Sequence, residues 1–170
     1  TLNGIDPRRP GEVAEIGKAI LAGDAAKWAL VPSSDNGGDT LGNRWLGGGE
    51  PFDHEDWDSG NDGVGYDQNA DYDPHIGIDI DAEMNDVNQS VFVRIPFRVS
   101  AEDRKKSNFM VLHMKYDDGF VAYLNGTRIA SANAASNPAW NAGATGQHDD
   151  ASAVTWVSFD LGKHINKLKT

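Results

Sequence analysis

Residues 109–131 read FMVLHMKYDDGFVAYLNGTRIAS, and the fold is read from this stretch. An apolar run at 109–116 meets Asp117-Asp118-Gly119. A second run at 120–124 meets Asn125-Gly126, and 127–130 runs back. Asn-Gly between two short apolar runs is a strong hairpin signal, because a type I′ turn needs positive φ at both central residues. Asp-Asp-Gly acts by a related route: aspartate caps its own turn, and glycine takes the backbone where a Cβ would clash. The spacing predicts three strands in an antiparallel meander.

Working outward, residues 25–31 predict a first strand carrying Trp28 and Leu30. Ile76, Ile78 and Ile80 alternate by two, so 76–84 predicts a strand with one buried face. Residues 90–99 alternate too, with Pro96 placing them at an edge or a bulge. Residues 100–107 read as a charged turn, and 154–161 as a strand with Val157, Phe159 and Leu161 facing the core. Residues 11–23 have apolar residues near helical spacing and predict a short helix ending at Gly23. Two stretches, 32–49 and 132–153, are glycine- and alanine-rich loops, and loops of such length in a compact domain tend to be functional or disordered. The expected organisation is a linker and short helix over 1–24, followed by one β module over 25–170.

Three motifs occur in an order that resembles a known family. Tyr116 to Gly126 is similar to the "DDG…vylNG" meander of galactose-binding-like jelly rolls. Phe52-Asp53-His54-Glu55-Asp56-Trp57, with Gly63-Val64-Gly65-Tyr66 after it, resembles the family's "FDDsxW" and "GvGY". Phe92 to Val99 resembles its "yfRrtF.v" strand. The resemblance spans Trp28 to Leu168. It implies an all-β fold, an antiparallel β-sandwich of jelly-roll type. It also implies an accessory module of bacterial extracellular enzymes or surface proteins, so an extracellular or cell-surface location is expected. In that family a further strand near "N.LAv" follows, so either a final strand is lacking here or the protein continues beyond Thr170.

Composition narrows the chemistry. The 170 residues suit one domain, and a mean hydropathy of −0.52 with no long apolar run argues against membrane insertion. The absence of cysteine removes disulfides, thiol catalysis and thiolate metal sites. A formal charge of −11 repels phosphate backbones, so nucleic acid is not an expected partner. Strongly anionic polysaccharides are disfavoured as well, unless calcium bridges or a local basic patch intervenes. No Lys or Arg falls between Arg44 and Arg94, an interval crowded with Asp and Glu. That interval reads first as a solvated acidic face.

Calcium takes six to eight oxygen ligands, and Asp53, Asp56, Asp58 and Asp62 form an oxygen cluster beside turn-forming glycines. Asp67, Asn69, Asp71 and Asp73 form another. Neither has EF-hand spacing, and turn capping accounts for both equally well. A structural Ca2+ is therefore an expectation supported by the resemblance. The five histidines lack zinc-site spacing, the Gly-x-Ser-x-Gly elbow is absent, and Gly47-Gly48-Gly49 lacks the Lys-Ser of a phosphate loop. A pyranose needs an aromatic platform with short polar side chains around it. Trp140, Tyr72 and Trp45 are the candidate platforms, with Asp118 and Asn141 as hydrogen-bonding partners. Each has a plain alternative: loop anchoring for the rings, turn structure for Asp118. Trp57, in the slot of the family's tryptophan, and Tyr66 read as packing residues. The expected function is a non-catalytic carbohydrate-binding module that meets glycan and other domains of the same polypeptide. The alternatives are a structural or adhesion module and a fragment of a glycoside hydrolase.

Overall fold

The computed structural model describes residues 19–69 and 72–170. Most of the predicted linker and helix lies outside these residues; residues 19–23, which do not, run as bends. Among the described residues, nine short strands form small sheets. Strand β1 (Lys27–Leu30) is flanked antiparallel by β2 (Asp58–Gly60) and β5 (Phe92–Arg94). Strands β3 (Gly63–Gly65) and β4 (Ile76–Asp79) pair in parallel. Strands β6 (Val111–Met114) and β9 (Val157–Asp160) pair antiparallel, as do β7 (Phe120–Leu124) and β8 (Thr127–Ala132). The chain is thus β-rich, with three short α-helices among the described residues: α1 (Asp81–Met84), α2 (Ala101–Lys106) and α3 (Asp150–Ala153).

The Asn125-Gly126 hairpin forms as its residues predict. Asn125 has φ 49° and Gly126 has φ 81°, and β7 and β8 run back from this turn. The meander does not form. Among the described residues β6 takes β9 as its partner, and β7 takes β8. The Asp-Asp-Gly segment therefore links two sheets rather than closing a turn within one. Its backbone and carboxylate are engaged by a later loop, described below, which leaves nothing to pair β6 with β7.

Other elements depart from the alternation at identifiable points. The strand predicted over 76–84 stops at Asp79, whose Oδ1 accepts the Asp81 N–H (2.9 Å) and starts α1. The charged turn at 100–107 is helix α2. Ser100 Oγ caps it by accepting the Asp103 N–H (3.0 Å), acidic residues fill its first turn, basic residues fill its last, and Lys106 pairs with Glu102 (2.6 Å). The strand predicted over 90–99 is paired only at Phe92–Arg94 and is over before Pro96.

Two apolar clusters hold these sheets. Ala29, Val31, Ile78 and Ile80 pack with Val64, Tyr66, Met84 and Val91. Val99, Leu124 and Leu168 pack with Ile20, Met110 and Ile129. Lys27 is buried on the inner side of β1, with 5% of its surface exposed. Its ammonium donates to Gly23 O (3.1 Å) and to Asp62 O, which ties the chain entering β1 to the turn between β2 and β3. Burial holds this lysine below its ordinary range, while the Asp62 and Asp24 charges oppose that shift.

Gly77 marks the closest backbone approach in the sheets. A Cβ there would stand 1.9 Å from Asn61 O, and backbone cannot yield as a side chain can. Gly77→Ala is expected to cost about 2 kcal/mol or more and to lower the melting temperature by about 5 °C. Gly49→Ala, whose Cβ meets nothing within 4 Å, serves as the control. Equal melting of the two variants in a thermal scan would contradict this packing.

Candidate functional site

The β7–β8 hairpin has a tip and an open end, and each holds one of the two long loops. At the tip, Gly126 N–H donates to Leu46 O (3.0 Å) and Asn125 Nδ2 donates to Lys167 O (2.7 Å). Lys169 Nζ reaches Gly48 O (3.2 Å). The loop over 32–49 is fixed there through Trp45, whose ring stacks on Phe92 (4.1 Å between centroids, 12° between planes) and meets Tyr123 edge-on. Arg94 donates to Trp45 O and pairs with Glu50 (2.6 Å). With one ring face against Phe92, Trp45 sits as an anchor of its loop.

At the open end, the Asp-Asp-Gly segment is clasped by the loop that follows β8. Asn133 Nδ2 donates to Asp118 O (2.8 Å), and the His148 N–H donates to Asp118 Oδ1 (2.9 Å). His148 Nδ1 lies 2.8 Å from Tyr116 O. A carbonyl only accepts, so the proton of this bond sits on Nδ1. The His148 ring stacks on Tyr116 (4.2 Å, 10°), and Tyr116 leads through Phe120 to Phe159. Tyr72 joins from the acidic segment. Its N–H donates to Asp67, and its hydroxyl is shielded from solvent beside Asp117. Burial, and then the charges of Asp117 and Asp150, push that hydroxyl up to about 12, so it stays a neutral donor. Burial also raises Asp117 above the ordinary carboxylate range, with the Asp118 and Asp150 charges adding to it.

The five predicted ligand residues thus divide. Trp45 sits at the tip, while Tyr72 and Asp118 belong to the clasp. Trp140 and Asn141 stand on the loop between β8 and α3, where Trp140 is 37% exposed and Asn141 is exposed beside it. That loop is held by its main chain. Ser90 Oγ donates to Trp140 O (2.7 Å), Thr145 N–H donates to Asn133 O (2.8 Å), and Arg128 donates to Ala135 O (3.1 Å) and to Ser136 O. The main chain of the loop is thereby fixed, and Trp140 on it keeps 37% of its surface exposed.

The four carboxylates expected to hold calcium lie in and around β2. Asp53 Oδ1 accepts the Glu55 N–H (3.1 Å), Asp56 is exposed, Asp58 lies in β2, and Asp62 takes φ 61° in the turn after it. Among the described residues no three His, Asp or Glu side chains form a group able to hold a metal ion. Of the second cluster, Asp67 and Asp73 line an open cleft of about 360 Å³ with Tyr66, Ile76, Asp79 and Asp81, and Asp71 lies outside the described residues. Two of its carboxylates are already engaged: Asp67 by the Asn69 and Tyr72 N–H groups, and Asp79 by the Asp81 N–H.

One exposed ring escaped the loop-centred reading of the sequence. Trp156, just before β9, is 56% exposed, with Lys115 Nζ 5.2 Å from its centroid. The signal for it was present in the alternation that sends Val157, Phe159 and Leu161 inward. Among the described residues, no helix is long and apolar enough to cross a membrane. Comparison with protein-family models, with curated proteins and with solved structures returned no match.

The clasp yields a pH prediction. A carboxyl raised by folding binds its proton more readily in the native state, so its contribution to stability grows as pH falls through its native pKa and is lost as pH rises. At neutral pH the ionised Asp117 therefore opposes folding. Asp117→Asn removes the charge at nearly constant shape and is expected to raise the melting temperature at pH 7 by up to about 3 °C. The gain should shrink as the pH is lowered toward the ordinary carboxylate value near 4. A variant that melts lower than wild type at pH 7 would contradict the assigned cause.

Proposed function

We propose that this chain is a non-catalytic carbohydrate-binding module of β-sandwich, jelly-roll type, belonging to a larger secreted or cell-surface protein. The carrying observation is the exposed Trp140 ring on a loop whose main chain is pinned by Ser90. A ring held outward before binding loses little freedom when a pyranose stacks on it, and preorganisation is a principal source of affinity at weak sites. Asn141, exposed next to it, supplies an amide for sugar hydroxyls. The reading assigns no catalytic step to this chain. Its partners are glycan and the neighbouring domains of the same polypeptide.

One observation favours the second reading, a structural or adhesion module. Phe109 is 53% exposed and Val111 is 38% exposed, and both lie on or beside β6. Grouped apolar side chains at a surface suit a protein contact.

A glycan array separates the two. Trp140→Ala is expected to lower binding to a neutral polysaccharide by about tenfold while the fold is retained. An array without signal, together with tight association to an adjoining domain, would replace the first reading by the second. The structural calcium implied by the resemblance is kept as a proposal with its own test. Melting in calcium compared with melting in EGTA is expected to show a rise of several degrees, about 3 °C or more, from mass action. Coincident curves would remove the ion.

A further inference from the structure

The outer face of the β6–β9 sheet carries more recognition chemistry than any loop. The register sets His113 opposite Ser158 and Val111 opposite Asp160, and each opposed pair projects to one side of the sheet. His113 Nδ1 and Ser158 Oγ are 3.0 Å apart, so this pair shares one face. Leu112, Phe159, Met114 and Val157 lie on the other face, where Phe159 packs against Phe120. The ladder continues one step past each end of the strands. The Leu161 N–H donates to Met110 O (2.8 Å), and Lys115 meets Trp156. Met110 packs into the core, so its neighbour Phe109 turns outward.

The outer face therefore has an exposed ring at each end, Phe109 and Trp156. Lys115 lies opposite Trp156, and Val111, His113, Ser158 and Asp160 lie between the rings, with His113 Nε2 shielded from solvent. Phe109 and Lys115 are six residues apart along one line of chain, which places the two rings about 20 Å apart at the rise of an extended strand. That span suits an extended oligosaccharide rather than a single sugar. The benzo edge of Trp156 faces Gly23, where an added Cβ would stand 3.4 Å from it. Lys115 forms no ion pair among the described residues, and its ammonium stands over the Trp156 ring. A carboxylate presented by a sugar stacked on Trp156 would meet a cation that no anion among the described residues engages. Asp160, at the opposite end beside Val111, favours a neutral hydroxyl there.

We infer that this face is a second binding surface, for an extended glycan whose residue over Trp156 bears a carboxylate, a hexuronate. The inference rests on the reading of the chain as a glycan-binding module and adds the place and the ligand class. The sugar's C–H face stacks on the indole, its carboxylate pairs with Lys115 Nζ, and its hydroxyls reach Ser158. The charge of −11 on the whole chain opposes an acidic polymer at long range. At physiological salt the screening length is about 8 Å, so a group in contact with Lys115 responds mainly to that lysine.

Titration calorimetry with tetragalacturonic acid, its methyl ester and cellotetraose tests this. The wild type is expected to bind the acid about threefold or more tighter than the ester, the size of an exposed charge pair. Lys115→Gln should abolish the preference, bringing acid and ester to equal affinity. Lys105→Gln, the same charge change on exposed α2, should keep the preference. Trp156→Ala should weaken both ligands by about tenfold, and Trp156→Phe, which keeps a ring and guards against misfolding, should restore much of that loss. Equal binding of acid and ester by the wild type, or acid binding untouched by Trp156→Ala, overturns the inference. Binding of neutral glycan alone, indifferent to Trp156 and Lys115, overturns it while leaving the glycan module standing. Absence of binding to any glycan removes both.

Discussion

Two residues with positive φ, Asn125 and Gly126, set the geometry on which much of the molecule rests. A type I′ turn fixes how β7 and β8 twist about each other, and so fixes the positions of both ends of the hairpin. Its tip offers an N–H and an amide outward, to Leu46 O and Lys167 O. Its far end presents Asp118 and Asn133 to each other and to His148. Two long connections and the last described residues are thus organised by one short element. Without the turn, neither Trp45 nor the Trp140 loop would have a seat.

The price of this arrangement is electrostatic. The clasp gathers Asp117, Asp150 and Asp67 around a partly buried phenol, and burial with the Asp118 and Asp150 charges raises the pKa of Asp117. The offsetting contributions are local: an N–H on Asp118, a ring stacked on Tyr116, and a chain of aromatic contacts to Phe159. Lys27 presents the converse case, a cation buried among carbonyls with Asp62 and Asp24 nearby. Both are polar groups set where burial is unfavourable, and both join segments that the small sheets alone would leave apart.

Much of this was legible in the sequence, and the misses have physical causes. Asn-Gly named its turn because the backbone conformation it needs is one few residue pairs adopt. Alternation gave the inward side of β9 and of β4, since period two is a direct image of the pleat. The Asp-Asp-Gly segment was misleading because turn chemistry says that the chain bends, not which strands flank the bend in one sheet. Helix α2 was written in Ser100 and Asp103, a capping pair hidden inside a run of charges. Strands β2 and β3, three residues each, carry no period long enough to read. The candidate ligand residues came from loop composition, which cannot distinguish a ring that anchors, as Trp45 does, from one held outward, as Trp140 is. At Trp156, next to β9, period two tells which side the ring takes but not whether that side is covered.

The support beneath the Trp140 loop has one more property. Ser90 and Arg128 grip it from outside, and what they hold are its carbonyls; Asp118 takes its backbone N–H at His148. Every amino acid except proline at the N–H supplies those same atoms. Most side chains between Ala134 and Gln147 are therefore free to vary without slackening the grip. The framework can be kept constant while the loop explores new surfaces, a division of labour that lets one scaffold acquire many specificities.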